Sequence, residues 1–419
     1  MVRLGKQNKQ VVVLYITTFL SVVVGVLVSV LNTRSLDPAE YGDYQYVHSI
    51  INFIAGFLLF GYFISGSRLL SITDSEDDRR KIRGVMVAIL VIASILLACI
   101  LAITGLVYGC FLNKSTDAEL LYYSILICPN ILLINYINTT AQGDNHIYRM
   151  SVARLLPSVI YLISAFFVFR TFGASALMLL LLQGFIALSV YIVIIITTRP
   201  DFRQLKRTFQ IINEENKIYG FNVYMGSVAN LALAYLGSVA LGLFNSDNTA
   251  VAFFTLAITI SAPLQLLPSI IGTVYFRRFA HEDKISKKVM VGTILVTALS
   301  FMCYVVAIHP LVKFLYDESY SVVAIYASFL ALASCINGFG DMVNRFLGSH
   351  GRGKEIRNSA FVSGSMLVLG NTVLVYFFDI NGAIIARILG AIGMCGTLLY
   401  YYNKYLKNLA KTKGTVLPK

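Results

Sequence analysis

Residues Val11 to Leu31 read VVVLYITTFLSVVVGVLVSVL, with no charged side chain among them. A helix rises about 1.5 Å per residue, so about 20 residues cross the roughly 30 Å hydrocarbon core of a bilayer. The stretch therefore reads as a membrane-spanning helix. The basic residues before it (Arg3, Lys6, Lys9) invite comparison with a signal peptide. A signal peptide has an apolar core of about 7–15 residues and a small-residue cleavage site. This run is longer, and Asn32, Thr33 and Arg34 follow it. It is expected to stay in place as the first span.

The same character runs through the chain. Of its 419 residues, 57% are hydrophobic and 13% charged, against about 45–50% and about 25% in ordinary globular domains. A water-soluble fold of this composition would leave large apolar areas exposed. The net charge of +13 could suggest nucleic acid, but the basic residues sit in short segments between apolar runs and form no stripe, so no nucleic-acid partner is expected. Cys99, Cys110, Cys128, Cys303, Cys335 and Cys395 lie in or beside apolar runs with no CxxC pair. They read as small buried hydrophobes, with no metal or other cofactor implied.

Hydropathy marks about twelve spans, near 10–33, 44–66, 84–112, 119–141, 152–171, 174–198, 218–244, 249–273, 289–314, 320–343, 358–378 and 382–402. With the N-terminus in the cytoplasm, all but five of the 34 Lys and Arg residues fall in cytoplasmic segments. Arg34, Lys114, Arg170 and Lys313 lie on the opposite face, and Arg387 lies inside a span. Positive residues collect on the cytoplasmic side, so both termini are expected there. The longest loop, Arg199 to Lys217, divides the chain near its midpoint, giving expected halves of 1–205 and 206–419. The fourth and tenth spans both end in a glycine turn and a basic patch: Ala141-Gln142-Gly143-Asp144 before Arg149, and Phe346-Leu347-Gly348-Ser349 before Lys354 and Arg357. Such an internal likeness points to an all-α polytopic membrane protein, two six-helix halves around a central cavity. Trp is absent, and Tyr122-Tyr123 and Tyr400-Tyr401-Tyr402 supply aromatic anchors at span ends.

Between the first two spans stands Arg34-Ser35-Leu36-Asp37-Pro38-Ala39-Glu40-Tyr41-Gly42-Asp43-Tyr44. Asp37 is placed to cap a helix starting at Pro38, with Glu40 completing a capping box. The segment also resembles the opening of bacterial polysaccharide flippases, the O-antigen and capsule repeat-unit transporters of the multidrug/oligosaccharidyl-lipid/polysaccharide (MOP) superfamily. Their pattern of Arg, spacer, Leu, a small or acidic residue, Pro, two variable residues, aromatic and Gly is met by Arg34, Leu36, Asp37, Pro38, Tyr41 and Gly42. The span count, midpoint loop and glycine turns extend the likeness over nearly the whole chain. It implies a flippase in the bacterial inner membrane that carries an undecaprenyl-diphosphate-linked oligosaccharide to the outer leaflet. Membrane lipids and the polysaccharide polymerase and chain-length machinery are implied partners.

A diphosphate substrate asks for a wet cavity with cationic groups. Arg387, flanked by Ala383, Gly390 and Ala391 at helical spacing, either faces such a cavity or pairs with a polar group between helices. Arg34 and Arg68 lie at span ends and could equally reach lipid headgroups. His48 faces a cavity or bonds a neighbouring carbonyl, and Asp341 and Arg345, four apart, form a structural or coupling pair. Gly348 to Lys354 spells most of a P-loop, but Glu355 stands where Ser or Thr should hold Mg²⁺ and a span precedes it instead of a strand. No HExxH, GxSxG or intramembrane carboxylate pair suggests an enzyme. Two alternatives stay open: a multidrug antiporter of the same superfamily, and a polysaccharide polymerase. The first would want buried carboxylates for cations, and the first, seventh and eighth spans hold no Asp or Glu. The second usually carries a long outer loop, and the loops on that face are short.

Overall fold

The computed structural model describes residues 6–414, apart from 145, 222 and 226–233. The described residues are helices joined by short turns and group into two units, one ending at Tyr235 and the other beginning at Leu236. Among the described residues, eight helical stretches are long and apolar enough to cross a membrane, one of them the 353–409 stretch that reverses at Asp379, and one bent pair makes a further candidate. With their outer faces meeting lipid, the exposure of such side chains as Phe19, Ile92 and Phe167 is expected. The chain is a multi-pass α-helical membrane protein.

In the first unit, α1 (Lys6–Ser35) turns sharply into α2 (Pro38–Gly56). The turn follows from local chemistry: the Glu40 amide donates to Asp37 Oδ1 at 2.9 Å, and Pro38 opens the helix. The expected second span is two helices, α2 and α3 (Tyr62–Ile72), broken over Phe57–Gly61. Phe60 and Gly61 there take φ of 45° and 78°. Carbonyls released by the break need partners inside a membrane. Asn216 Nδ2 donates to the Phe60 carbonyl at 3.1 Å, and Tyr224 Oη to that of Phe57 at 2.7 Å. Asn216 opens a short π-helical turn, Asn216–Gly220, after α9 (Leu205–Glu215). α9, which begins at the expected division of the chain, packs against α3 and α4 (Glu76–Cys110) of this unit.

The fourth expected span is α5 (Ser115–Ser124) and α6 (Pro129–Gly143), bent by 45°. Pro129 cannot donate to a preceding carbonyl, so the helix restarts there. α7 (Ile147–Phe172) runs beside α1, fastened by Thr17 Oγ1 to Ser151 Oγ at 3.0 Å and Tyr161 Oη to Asn32 Oδ1 at 2.8 Å. α8 (Ala176–Thr197) follows and leads into α9.

The second unit contains α10 (Leu236–Phe244), α11 (Thr249–Ser261), α12 (Pro263–Phe279), α13 (Lys287–Leu315) and α14 (Val323–Ser349). Of the expected seventh span, 218–244, residues 222 and 226–233 lie outside the described residues. The last two expected spans are one helical stretch, Gly353–Gly414, reversed at Asp379, which divides it into α15 (353–378) and α16 (380–414). Asp379 sits at φ 50°, ψ −133° and accepts from Asn245 Nδ2 at 2.6 Å. Phe279, Met342, Val343, Phe346, Leu398 and Tyr402 form the core toward one end of this unit, where Tyr402 Oη accepts from the Ile285 amide at 3.0 Å.

Candidate functional site

The motif residues sort by burial. Leu36, Tyr41 and Gly42 turn inward, whereas Arg34 is exposed in the last turn of α1. The conformation-setting members thus build the α1–α2 corner, and the charged one is presented outward. Tyr41 Oη accepts from Gln45 Nε2 at 2.6 Å, one turn along the same helix.

Arg68 is tied into the fold. Its guanidinium pairs with Glu215 of α9 and lies 4.8 Å from the Tyr219 ring centroid, so it clamps α3 to the segment after α8. Asp341 and Arg345 form an ion pair within α14 at 3.0 Å. Their turn packs closely on α12, where a side chain at Gly272 would meet Met342 and Arg345. Arg387 is half-buried in α16 beside fully buried Ala383 and Ala386. The small residues around it let α15 approach: Ser363 Oγ donates to the Gly390 carbonyl at 3.0 Å.

Arg154 is a cation that span counting assigned to the cytoplasmic edge. α7 begins at Ile147, so Arg154 stands about seven residues, roughly 10 Å, along a membrane helix. It is half-buried and has no ion-pair or hydrogen-bond partner among the described residues. The signal was visible in the sequence as a charge inside the hydropathy boundary of the fifth span; the cytoplasmic tally absorbed it.

A second group escaped the sequence reading. Asp144, after α6, has a fully buried side chain and faces three arginines: Arg83 Nε at 2.9 Å, Arg79 at 3.2 Å and Arg149 at 3.6 Å. Arg83, also buried, donates further to Glu76 at 2.8 Å and to the Thr198 carbonyl at 3.1 Å. One guanidinium thereby joins α4, the α6–α7 turn and the end of α8. In the following loop, Arg203 bonds the Asp201 carboxylate and holds it down at about 2. These positive residues, counted as orienting charges, are in part internal ligands of one buried carboxylate.

His48 lies at the centre of an uncharged polar cluster. Its ring stacks on Tyr44, with centroids 5.9 Å apart, and meets Tyr235 edge-on at 6.5 Å. Asn52 Nδ2 donates to the His48 carbonyl at 2.7 Å, and Tyr44 Oη to Gln183 Oε1 of α8 at 2.6 Å. Tyr44, His48, Asn52 and Gln183 line a cleft of about 180 Å³ whose far wall is the α5–α6 break. The structure brings His48 to a cavity within the first unit, together with residues no sequence motif marked.

A family model described as "Polysaccharide biosynthesis protein" matches residues 8–281. No curated protein sequence matches the chain. Among solved structures, a lipid II flippase, MurJ, in an inward closed conformation covers 97% of this chain and 94% of its own, with a TM-score of 0.71 at 14% identity. An inward-facing multidrug resistance MATE family transporter of the MOP superfamily covers 94% and 96%, with a TM-score of 0.65 at 18% identity. A MOP superfamily transporter from Pyrococcus furiosus, reported with a reversed polarity of its binding pocket, covers 97% of both chains, with a TM-score of 0.54 at 15% identity. At these identities the likeness establishes the fold, that of the superfamily which the Arg34–Gly42 motif resembles.

Proposed function

Because this chain belongs to the polysaccharide biosynthesis protein family, we propose that it is a flippase for an undecaprenyl-diphosphate-linked oligosaccharide. On this reading it moves the lipid from the cytoplasmic to the outer leaflet of a bacterial inner membrane by alternating access, without covalent catalysis, and hands it to polymerase and chain-length machinery. The observation that carries the reading is an arginine standing inside a membrane helix, Arg154. Arg154 has no counter-ion among the described residues, and Arg387 lies mid-helix. A cation within a membrane helix costs about 2.5–3.5 kcal/mol on insertion scales, so its retention calls for a use. An anionic diphosphate supplies that use, through charge-assisted hydrogen bonds to guanidinium.

A multidrug antiporter would need buried carboxylates within its spans that stay available to organic cations. In the first unit, Asp117 and Asp144 are buried at helix ends, and Asp144 is enclosed by arginines. The fold likeness to a MATE transporter is compatible with either cargo; the charge favours the anion.

The test is deletion of the gene, with surface polysaccharide and the leaflet of the lipid-linked repeat unit both assayed. The expected result is loss of the polymer and a complete repeat unit trapped facing the cytoplasm. Complementation with Arg154→Ala or Arg387→Ala should restore protein but not flux. A charge-assisted hydrogen bond contributes about 1.5–3 kcal/mol, so each change should slow export about 10- to 100-fold. Normal polymer in the deletion strain, with raised sensitivity to organic cations, would replace this reading with the multidrug one.

A further inference from the structure

We propose that the cleft between α2, the α5–α6 break and α8 is a glycan subsite, taking an uncharged sugar of the lipid-linked cargo. The inference rests on the flippase reading and adds to it where the sugar, as distinct from the diphosphate, is held. Three observations converge on it.

The first is the chemistry of the lining. Tyr44, His48, Asn52, Asn130, Gln183 and Tyr191 supply hydroxyl, imidazole and amide groups, and none of the described lining residues is Lys, Arg, Asp or Glu. A diphosphate would find no cation here. Sugar hydroxyls need the neutral donors and acceptors that these side chains carry, and a sugar ring's C–H faces suit the aromatic faces of Tyr44 and His48.

The second is an unmet acceptor. Asn130 Nδ2 donates to the Gly184 carbonyl at 2.8 Å, while Asn130 Oδ1 is buried with no hydrogen-bond partner. Buried polar atoms are nearly always bonded, and Asn130, a residue of the cleft wall, leaves this acceptor without a partner. The cleft has room for a donor. About 10–15 Å³ of such space holds a water, and this cleft offers about 180 Å³.

The third is the backbone. Ile127 and Cys128, in the irregular turn between α5 and α6, form part of the wall. The turn is held by short i to i+3 bonds, Ile125 N to Tyr122 O at 3.2 Å and Ile127 N to Ser124 O at 3.0 Å. Non-helical backbone at membrane depth persists where it is buried in protein or lines a polar cavity, and discontinuous spans are where transporters build substrate sites. Here the discontinuity and the polar cluster coincide.

The test uses the full-length protein in lipid nanodiscs and two probes. One is the lipid-linked glycan extracted from the deletion strain; the other is undecaprenyl diphosphate without sugar. The wild type should bind the glycan lipid more tightly. His48→Phe keeps the stacked ring and removes its nitrogens, and Tyr191→Phe removes one hydroxyl. Combined with Gln183→Leu, they should abolish the preference, a loss of roughly tenfold for two or three neutral hydrogen bonds. Binding of the bare diphosphate lipid should stay unchanged, which also shows that the variants fold. Exposed Ser189→Leu, elsewhere on α8, should retain the wild-type preference. Variants that keep the full preference, or that shift the pH profile of transport instead, would overturn the subsite while leaving the flippase reading in place. If the deletion strain accumulates no glycan lipid, or the wild type binds neither probe, the flippase reading fails and the subsite with it.

Discussion

Asp144 shows how a single residue's role depends on what surrounds it. Its carboxylate is fully buried and accepts from or faces Arg79, Arg83 and Arg149. Removing one partner of a buried ion pair leaves the other charge desolvated, at about 3–5 kcal/mol. Asp144→Ala should therefore lower the unfolding midpoint strongly in detergent or nanodiscs. Asp144→Asn, which keeps an acceptor for Arg83, should lose less. Equal stability of Asp144→Ala and wild type would mean that Glu76 and the Thr198 carbonyl already satisfy Arg83 unaided. The contrast with Arg154 is instructive. Both arginines sit in the first turns of membrane helices, yet Arg83 is enclosed by acceptors and Arg154 has none among the described residues. Sequence reading gave the two the same topological meaning. Only the packing separates a structural cation from a candidate ligand.

At the scale of elements, four expected spans turn out to be interrupted or joined: the second as α2–α3, the fourth as α5–α6, and the last two in the α15–α16 hairpin. Hydropathy averages over a window, so it registers an apolar stretch and not the geometry within it. Pro129 was a legible reason for one break. The break at Phe57–Gly61 was not legible, because its stabilisation comes from Asn216, 156 residues away. The hairpin offers a sharp test. A Cβ on Gly382 would lie 2.0 Å from the Leu374 carbonyl oxygen, a backbone atom that cannot swing aside. Gly382→Ala should force α15 and α16 apart and cost about 1–3 kcal/mol or more, read as a lower unfolding midpoint. Gly292→Ala, where nothing lies within 4 Å, should be neutral or stabilising by up to about 1 kcal/mol from helix propensity. A similar fall for both would locate the effect in helix flexibility instead of the close contact.

For the whole molecule, charge asymmetry makes a topological prediction. Reporter fusions after residue 414 and within the Arg199–Lys217 segment should be active in the cytoplasm. Cysteines introduced at Lys114 and Lys313 should react with an impermeant reagent from outside. The basis is additive, since each Lys or Arg near a span end biases insertion in the same direction. Labelling of Lys114 and Lys313 only from the cytoplasmic side would invert the proposed orientation, and with it the direction assigned to transport.

The amino-acid sequence by itself determined that this is a polytopic helical membrane protein, where most of its helices run, and which superfamily it resembles. Those properties are local sums: hydropathy over about 20 residues, and the Arg34–Gly42 motif at one corner. The tertiary structure decided which charges are neutralised and where a cavity opens. Arg83 meets Asp144 across 61 positions, and Tyr44 meets Gln183 across 139. The glycan cleft needs α2, α5–α6 and α8 at once. Such pairings depend on how helices pack, and no window along the chain contains both partners.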